Sequence, residues 1–489
     1  MIDTQAIRSK ILDLAMRGQL TEQLPEDGTA EELYQQIQEE KQKLIKEGKI
    51  KKQKPLPEIT DEEIPFEIPE NWKWVRLKEL CTKIVDGDHN PPAGVKEATS
   101  YLMLSAQNIN KGTLTNLDNV RYLSADVFEE ENKRTKLEVD DVLLTIVGTI
   151  GRSCVYQGGF NISFQRSVAV ITTLIYSKFL KYAFDIPFIQ SFMIDNATGA
   201  AQLGFYLNKL EKLLIPLPSN AEQKRIVEKV EQAFSILDII DELQAQYVDN
   251  LTALKSKLID AAIQGKLTEQ LPEDGTAEEL YQQIQEEKQK LIKEGKIKKQ
   301  KPLPEISDEE IPFDIPENWK WVRLGCVANV LGGKRIPAGR TLTTEDTGYK
   351  YIRVSEMKNG TVNTENLLFV PEDIYPSISQ YIIKKEDVYI TVAGTIGRVG
   401  KIPEEIDGAN LTENADRIVL FSINQDWLIQ CLSSTVVQKQ IEKLTTSVAQ
   451  PKLAIKRIQA FSIPLPPLAE QKRIVQKLEE ILPLCEKLE

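Results

Sequence analysis

A single histidine, His89, lies in the loop-forming run DGDHNPP, and it is the one side chain of 489 whose ordinary titration falls near neutrality. One histidine sharply limits general-base chemistry and histidine-rich metal sites, although carboxylates and lysines retain some capacity for such work. The motifs that grip or activate small substrates are missing: no phosphate loop of the type Gly-x4-Gly-Lys-Ser/Thr, no Gly-x-Ser-x-Gly elbow and no His-Glu-x-x-His helix occurs. Other residues carry hydrogen-bonding rather than catalytic promise. The turn GTIGR occurs twice, Gly148 to Arg152 and Gly394 to Arg398, each after a strand-like run, DVLLTIV and DVYITVA. Glycines let such a turn approach a neighbour closely, and an arginine at its end suits a phosphate or a guanine edge. The chemistry legible here is recognition of a polar partner, and the chain is read as non-catalytic.

The elements that must hold these turns show a duplication. Residues 20 to 77 match residues 267 to 324 at an offset of 247, identical but for Thr60 against Ser307 and Glu67 against Asp314. IPLPSNAEQKRIVEKV from Ile215 echoes IPLPPLAEQKRIVQKL from Ile463. A period this long exceeds that of solenoids and implies two domains with their connectors. In the repeated stretch, Thr29 with Glu32 and Thr276 with Glu279 form capping boxes, and Gly48 and Gly295 close the helices they open.

Between the copies, steps of four and three from Ile226 land on Val230, Ala233, Leu237, Ile240, Gln244, Tyr247, Leu251, Leu254, Leu258 and Ala261. Such a heptad seam calls for a long helix with a partner along its length. At the chain start Ile7, Ile11 and Leu14 match the later half of this seam; at the chain end Ile474, Leu478, Ile481, Cys485 and Leu488 match its first half. The two terminal helices thus form a broken copy of the central one, expected to lie antiparallel to it.

The net charge of −12 is unevenly spread. Residues 72 to 218 carry 16 basic and 15 acidic side chains (net +1), and residues 319 to 466 carry 18 and 15 (net +3), so the acidity belongs to the repeated, helical parts. Any phosphate-binding face on the variable segments must be a local patch. No run of 18 apolar residues occurs, and MIDTQAIRSK lacks the core of a signal peptide. The five cysteines lie far apart without a CxxC pair, as in a cytoplasmic protein with free thiols and no zinc site.

Taken in order, AIQGKLTEQ, LIKEGKIKKQKPLPEI with IPFEIPENWKWVRL, DGDHNPP, GTIGR and IPLP followed by EQKRIV resemble the specificity subunits of type I restriction and modification systems, across nearly the whole chain. The resemblance implies two α/β (α+β) target-recognition domains separated by long antiparallel coiled-coil helices in a pseudo-twofold tandem repeat. The segments are then an N-terminal half-helix (1–18), a repeated helix and linker (19–71), the first recognition domain (72–218), the central helix (219–265), the second helix and linker (266–318), the second recognition domain (319–466) and the C-terminal helix (467–489). It further implies that each domain reads one half of a bipartite double-stranded DNA site, that the helices dock two methylase subunits, and that restriction subunits join through these. No cofactor is expected on this chain; S-adenosylmethionine would belong to the methylase, and ATP with Mg to the restriction subunit. The chain opens directly on the half-helix, which as a reading leaves no room for a fused methylase.

Within that frame the expected DNA contacts can be named. Asp88 and His89 belong to the DGDHNPP loop, whose NPPA differs from the catalytic NPP-aromatic motif of amino-methyltransferases in having Ala93 where the base-stacking ring would stand. Thr149, Arg152, Thr395 and Arg398 come from the two GTIGR turns. Residues that read bases should differ between copies, which favours Gln107, Asn108, Asn110 and Lys111 in the first domain against Arg353, Ser355, Lys358 and Asn359 in the second. Lys334, Arg335 and Arg340 form the densest basic cluster of either variable segment, and Gln202, Gln450 and Lys452 precede short helices near the ends of the two. The rival reading is a coiled-coil scaffold whose domains bind proteins.

Overall fold

The computed structural model describes residues 1–52, 54–199, 202–445 and 452–488. The chain forms two compact units, residues 1–244 and 245–489, so the boundary falls inside the long helix. In the first unit α1 (Thr4–Met16) and α2 (Ala30–Lys46) precede β1 (Lys73–Arg76), the short α3 (Leu77–Leu80), β2 (Cys81–Asp86), β3 (Tyr101–Leu104), the hairpin β4 (Ile109–Asn110) and β5 (Thr113–Leu114), and β6 (Arg121–Tyr122). Then follow α4 (Ala125–Thr135), β7 (Val142–Thr145), β8 (Ser153–Val155), β9 (Asn161–Phe164), β10 (Val168–Thr173), α5 (Ser177–Phe184), α6 (Pro187–Asp195), α7 (Leu207–Leu210), β11 (Leu214–Leu217) and α8 (Asn220–Ile263).

The second unit repeats this order. It runs through α9 (Ala277–Lys293), β12 (Lys320–Arg323), α10 (Leu324–Val327), β13 (Ala328–Gly332), β14 (Lys350–Ile352), the hairpin β15 (Met357–Lys358) and β16 (Thr361–Val362), β17 (Leu368–Phe369), α11 (Tyr375–Ile378) and β18 (Val388–Thr391). It ends with β19 (Val399–Gly400), β20 (Asn410–Leu411), β21 (Ala415–Leu420), α12 (Gln425–Ser433), α13 (Thr435–Thr445), α14 (Ile455–Gln459), β22 (Ser462–Leu465) and α15 (Leu468–Glu486).

Sheet topology recurs strand for strand. A four-stranded antiparallel sheet, β2-β10-β7-β8, returns as β13-β21-β18-β19, and a three-stranded sheet with one parallel pair, β6-β3-β9, returns as β17-β14-β20. In each unit the segment between the repeated helices begins and ends in a two-stranded ribbon, with Lys73 opposite Leu217 and Lys320 opposite Leu465. The four-stranded sheets bury one face against α5 and α6, or α12 and α13; Phe179, Leu180 and Phe184, or Trp427, Leu428 and Cys431, fill those layers. The apolar run VLL of β7, buried at every position together with Thr145, suits a strand covered on both faces.

The recurrent EQKR accounts for how the helices are fastened. Glu222 lies wholly buried at the start of α8 and accepts from Trp72 Nε1 (2.9 Å), Gln23 Nε2 (2.6 Å) and Thr21 Oγ1 (3.2 Å). Burial pushes its carboxyl up, and those hydrogen bonds pull the other way. Gln223 accepts from Tyr176 N and donates to Pro218 O, while Arg225 pairs with Asp27. Glu470, Gln471 and Arg473 make the same set with Trp319, Gln270, Thr268, Asn424, Pro466 and Asp274. The linker after α2 is held too: the buried Arg76 donates to Pro57 O, Glu58 O and Glu63, as Arg323 does to Pro304 O, Glu305 O and Glu310. The Arg323 guanidinium and the Ser307 amide hold the Glu310 carboxyl down to about 2.

The helix seam differs from the heptad expectation. In the first unit α1 runs antiparallel to the first half of α8: Thr4 donates to Asp241, Arg8 to Asp238, and Ile2 and Gln244 exchange hydrogen bonds. In the second, Tyr247 donates to Leu488 O near one end of the pair while Glu470 holds Thr268 near the other. Ile226, Val230, Leu237, Leu251, Ile474 and Leu478 are buried; Ile240, Ile11, Leu258 and Ile481 are half-buried. Ile7 and its counterpart Leu254 stand 39% and 43% exposed, and Tyr247 is exposed as well. The stripe that enters the core is instead Leu12, Ala15 and Met16, with Ala262 and Ile263 as its repeat. A straight helix drifts about 20° per heptad from a 3.5-residue repeat, and here it turns toward Trp72 and Trp319 of the globular core instead of a single partner helix.

Candidate nucleic-acid interface

In each unit several loops meet at one end of the four-stranded sheet, tied by backbone hydrogen bonds. In the first, Asp88 N donates to Phe164 O, Arg166 N to Asp88 O, Gln165 N to Leu104 O, Ile146 N to Ser167 O, Phe205 N to Ile146 O and Gly148 N to Leu203 O. In the second, Lys334 N donates to Leu411 O, Thr412 N to Ile352 O, Val392 N to Asn414 O and Leu453 N to Val392 O. Loops that share no sequence therefore occupy equivalent places. Such loop clusters on a rigid sheet are where binding residues concentrate.

The GTIGR turns stand at this end. Gly148 and Thr149, like Gly394 and Thr395, are exposed at the tips, and Arg152 and Arg398 project into solvent. Among the described residues no carboxylate pairs with either arginine. Arg152 N donates to Thr145 Oγ1 at 2.9 Å and Arg398 N to Thr391 Oγ1 at 3.0 Å, so one threonine at the strand end orients each turn. Arg398 also reaches Met357 O at 3.4 Å, which places it beside the β15–β16 hairpin.

That hairpin and its twin carry other predicted contacts. Lys111 and Gly112 have φ of 48° and 74°, Asn359 and Gly360 of 52° and 73°, so both are two-residue turns with left-handed central positions. Asn110, Lys111, Lys358 and Asn359 are exposed there, and Gln107 is exposed just before. Asn108 is not exposed with them. It is buried, its Oδ1 accepts from Ser105 N and its Nδ2 donates to Thr115 O and Asn116 O, so its hydrogen bonds hold the loop rather than a base. Arg353 and Ser355 are likewise engaged: the buried Glu356 accepts from the Arg353 guanidinium at 2.7 Å and from Ser355 Oγ at 2.6 Å.

The basic cluster of the second domain is partly neutralised. Arg335 pairs with Glu413 and Arg340 with Asp373, while Lys334 lies over the Tyr381 ring and Lys452 donates to Glu413 O. Gln202 is exposed beside the first GTIGR turn, and Gln450 lies outside the described residues. In the DGDHNPP loop, Asp88 is half-buried and accepts from Asn90 N, and His89 is exposed with Nε2 2.8 Å from Asp86 Oδ2. Asp86 also accepts from Arg134 of α4. One residue escaped sequence reasoning: Arg166, exposed in the β9–β10 loop and bonded through its backbone to Asp88 O. Its signal was a cation between two strand runs, in SFQRSVAV.

The chemistry on this face is hydrogen bonding and charge. Among the described residues no group of three or more His, Cys, Asp or Glu side chains gathers as a metal site, and no helix is long and apolar enough to cross a membrane. A polar sheet edge of cationic turns and amide-bearing hairpins defines a recognition domain, present twice. Residues 69–246 and 316–489 match the family model of the type I restriction modification DNA specificity domain, and the chain belongs to that family, a membership that does not favour the scaffold reading.

Its similarity to individual members spans nearly its whole length. It is 29% identical to the type I restriction enzyme EcoAI specificity subunit of Escherichia coli and 28% identical to the EcoEI specificity subunit of the same species, each alignment covering 99% of this chain and 89% of the relative. A solved chain described under "Structural basis underlying complex assembly and conformational transition of the type I R-M system" superimposes with a TM-score of 0.57 at 19% identity, over 87% of this chain and 93% of that one, a likeness of fold.

Proposed function

We propose that the chain is the address-reading part of a type I restriction-modification complex, each unit reading one half of an interrupted double-stranded DNA site. The observation that carries the reading is the pairing of a scaffold whose main bonds repeat with loop tips that differ: Asn110-Lys111 in one turn corresponds to Lys358-Asn359 in its equivalent, and Arg166 stands where the second unit has Glu413. Two readers on one scaffold suit two unlike half-sites. The exposed arginines and lysines supply the phosphate contacts that set register, and the hairpin tips supply the base contacts.

The chain itself performs no reaction in this reading. Two methylase subunits dock on the helices as a coiled-coil platform and transfer methyl groups from S-adenosylmethionine to adenine N6, and restriction subunits using ATP and Mg join through the methylase complex in the cytoplasm. The exposed faces of α2 and α9 and the apolar residues left open on α8, Ile236, Ile239 and Leu243 in the first unit, support a docking role. Expression of the chain with its methylase in a methylation-free host, followed by long-read methylation mapping, tests the reading. N6-methyladenine confined to a two-part interrupted motif is the expected result; a stable complex that leaves DNA unmarked would overturn it.

A further inference from the structure

Helices α6 and α13 hold equivalent places and share almost no sequence, PFIQSFMID against TVVQKQIEKLT. One residue persists. Gln190 and Gln438 each spend both amide hydrogens in the same way: Gln190 Nε2 donates to Gly151 O at 2.8 Å and Phe184 O at 2.6 Å, and Gln438 Nε2 donates to Gly397 O at 3.0 Å and Leu432 O at 2.8 Å. Gly151 and Gly397 belong to the GTIGR turns, whereas Phe184 and Leu432 end the preceding helices, where last-turn carbonyls lack intrahelical donors. The amide thus bridges the turn to the helical layer.

The turns are shaped to receive it. Gly151 and Gly397 have φ of 93° and 87°, and a Cβ on Gly151 would lie 2.3 Å from Gln190 Oε1, one on Gly397 3.0 Å from Gln438 Oε1. The next residue in each turn is the exposed Arg152 or Arg398. We infer that Gln190 and Gln438 are positioning residues, each fixing the height and tilt of one GTIGR turn so that its arginine meets DNA, and each thereby setting the fidelity with which one half-site is read. The inference rests on the DNA-reading function proposed above. A primary amide meets the need without adding charge: a carboxylate would present acceptors to two carbonyls, and an aliphatic chain would leave both carbonyls without donors.

The test uses the full chain in complex with its methylase and duplexes bearing the mapped target or single base-pair changes in either half, at one salt concentration. Asn110→Ala, at the hairpin tip, first identifies the half-site belonging to the first unit. Gln190→Leu is expected to lose about tenfold of the discrimination at that half and none at the other, and Gln438→Leu to do the reverse, since an arginine that no longer sets register on the phosphates leaves the neighbouring base contacts misplaced, and a base-pair mismatch is worth about that much or more. Gln190→Glu serves as the nearly isosteric control: discrimination should be poor at high pH and recover in part as the pH falls and the carboxyl regains one donor. Thermal melting of each variant accompanies the binding. Equal losses at both half-sites, or unchanged discrimination in a chain of lower Tm, would reduce the glutamines to structural residues and overturn the inference. A wild-type complex that ignores changes in both halves would overturn the function on which it rests.

Discussion

At one cross-strand pair the two recognition domains place a buried carboxylate from opposite strands. In the first, Asp86 of β2 stands opposite Ala169; in the second, Gly332 of β13 stands opposite Asp416 of β21. Asp86 is paired with Arg134 and His89, whereas Asp416, 4% exposed, has an Oδ2 with no hydrogen-bond partner, and burial pushes its carboxyl up to about 7 against the pull of Lys452. The α4 helix that supplies Arg134 shrinks to the four-residue α11 in the second domain. The sheet therefore tolerates a carboxylate on either strand while the neighbouring elements, and with them the charge of the reading edge, are free to change. By contrast the main bonds of the EQKR and Arg76 networks are copied from one unit to the other.

The sharpest way to break this contrast is at the copied networks. Arg76→Leu and Arg323→Leu should each destabilise the chain by about 3 kcal/mol, because several carbonyls and a carboxylate lose one buried donor, and the two losses should agree within about 1 kcal/mol in denaturant titrations, Arg323 having one further bond, to Ser462 Oγ. A wider gap would mean that the scaffold is not shared. On the helices, Leu251→Glu should cost about 2 to 3 kcal/mol and disrupt assembly with the methylase, while Leu254→Glu should cost under about 1 kcal/mol, in line with 6% against 43% exposure.

The carboxylate pair should respond with opposite signs. Asp86→Asn should destabilise by about 1 to 2 kcal/mol by weakening its bonds with Arg134 and His89. Asp416→Asn should stabilise at alkaline pH. The folded-state value of Asp416 lies above its unfolded value, so between about pH 4 and 7 the native state holds a proton that the unfolded chain releases. Its contribution is complete below that window and declines as the pH rises through 7; melting at pH 6 and pH 8 should show the decline in the wild type and its loss in Asp416→Asn. The smallest effect is on binding: Arg152→Ala and Arg398→Ala should each weaken DNA affinity about tenfold or less and reduce the slope of log affinity against log salt by about one, measured by anisotropy.

Much of the architecture could be read from the sequence because duplication, capping boxes and glycine-bounded turns are local signals. Thr29 and Thr276 cap as their Ser/Thr-x-x-Glu spacing requires, and both GTIGR runs are turns after strands. Side-chain fates were not local. Asn108 reads as an exposed amide until the hairpin folds over it, and Arg353 and Ser355 read as free until Glu356 is buried beside them. Ile7 and Leu254 satisfy a heptad, but the helix they belong to packs on a globular core that the heptad does not describe. Nor could sequence separate the two reasons for near-identity in the repeated stretch: Thr21, Gln23, Asp27, Trp72 and Arg76 are occupied within the unit, so only the remaining exposed positions are open to an outside partner.

The ribbons that begin and end each recognition domain have one further meaning. Because β1 and β11 are hydrogen-bonded neighbours, the chain leaves and re-enters the helical scaffold at points about 5 Å apart, and the second ribbon repeats the arrangement in register with the same KWVR and the same IPL. A domain mounted in this way behaves like a cartridge in a socket. An insert whose two ends arrive side by side, and which keeps the backbone donors that Tyr176 and Asn424 offer to Gln223 and Gln471, can be exchanged at KWVR and IPL, so new addresses can be assembled by splicing whole readers instead of redesigning their loops.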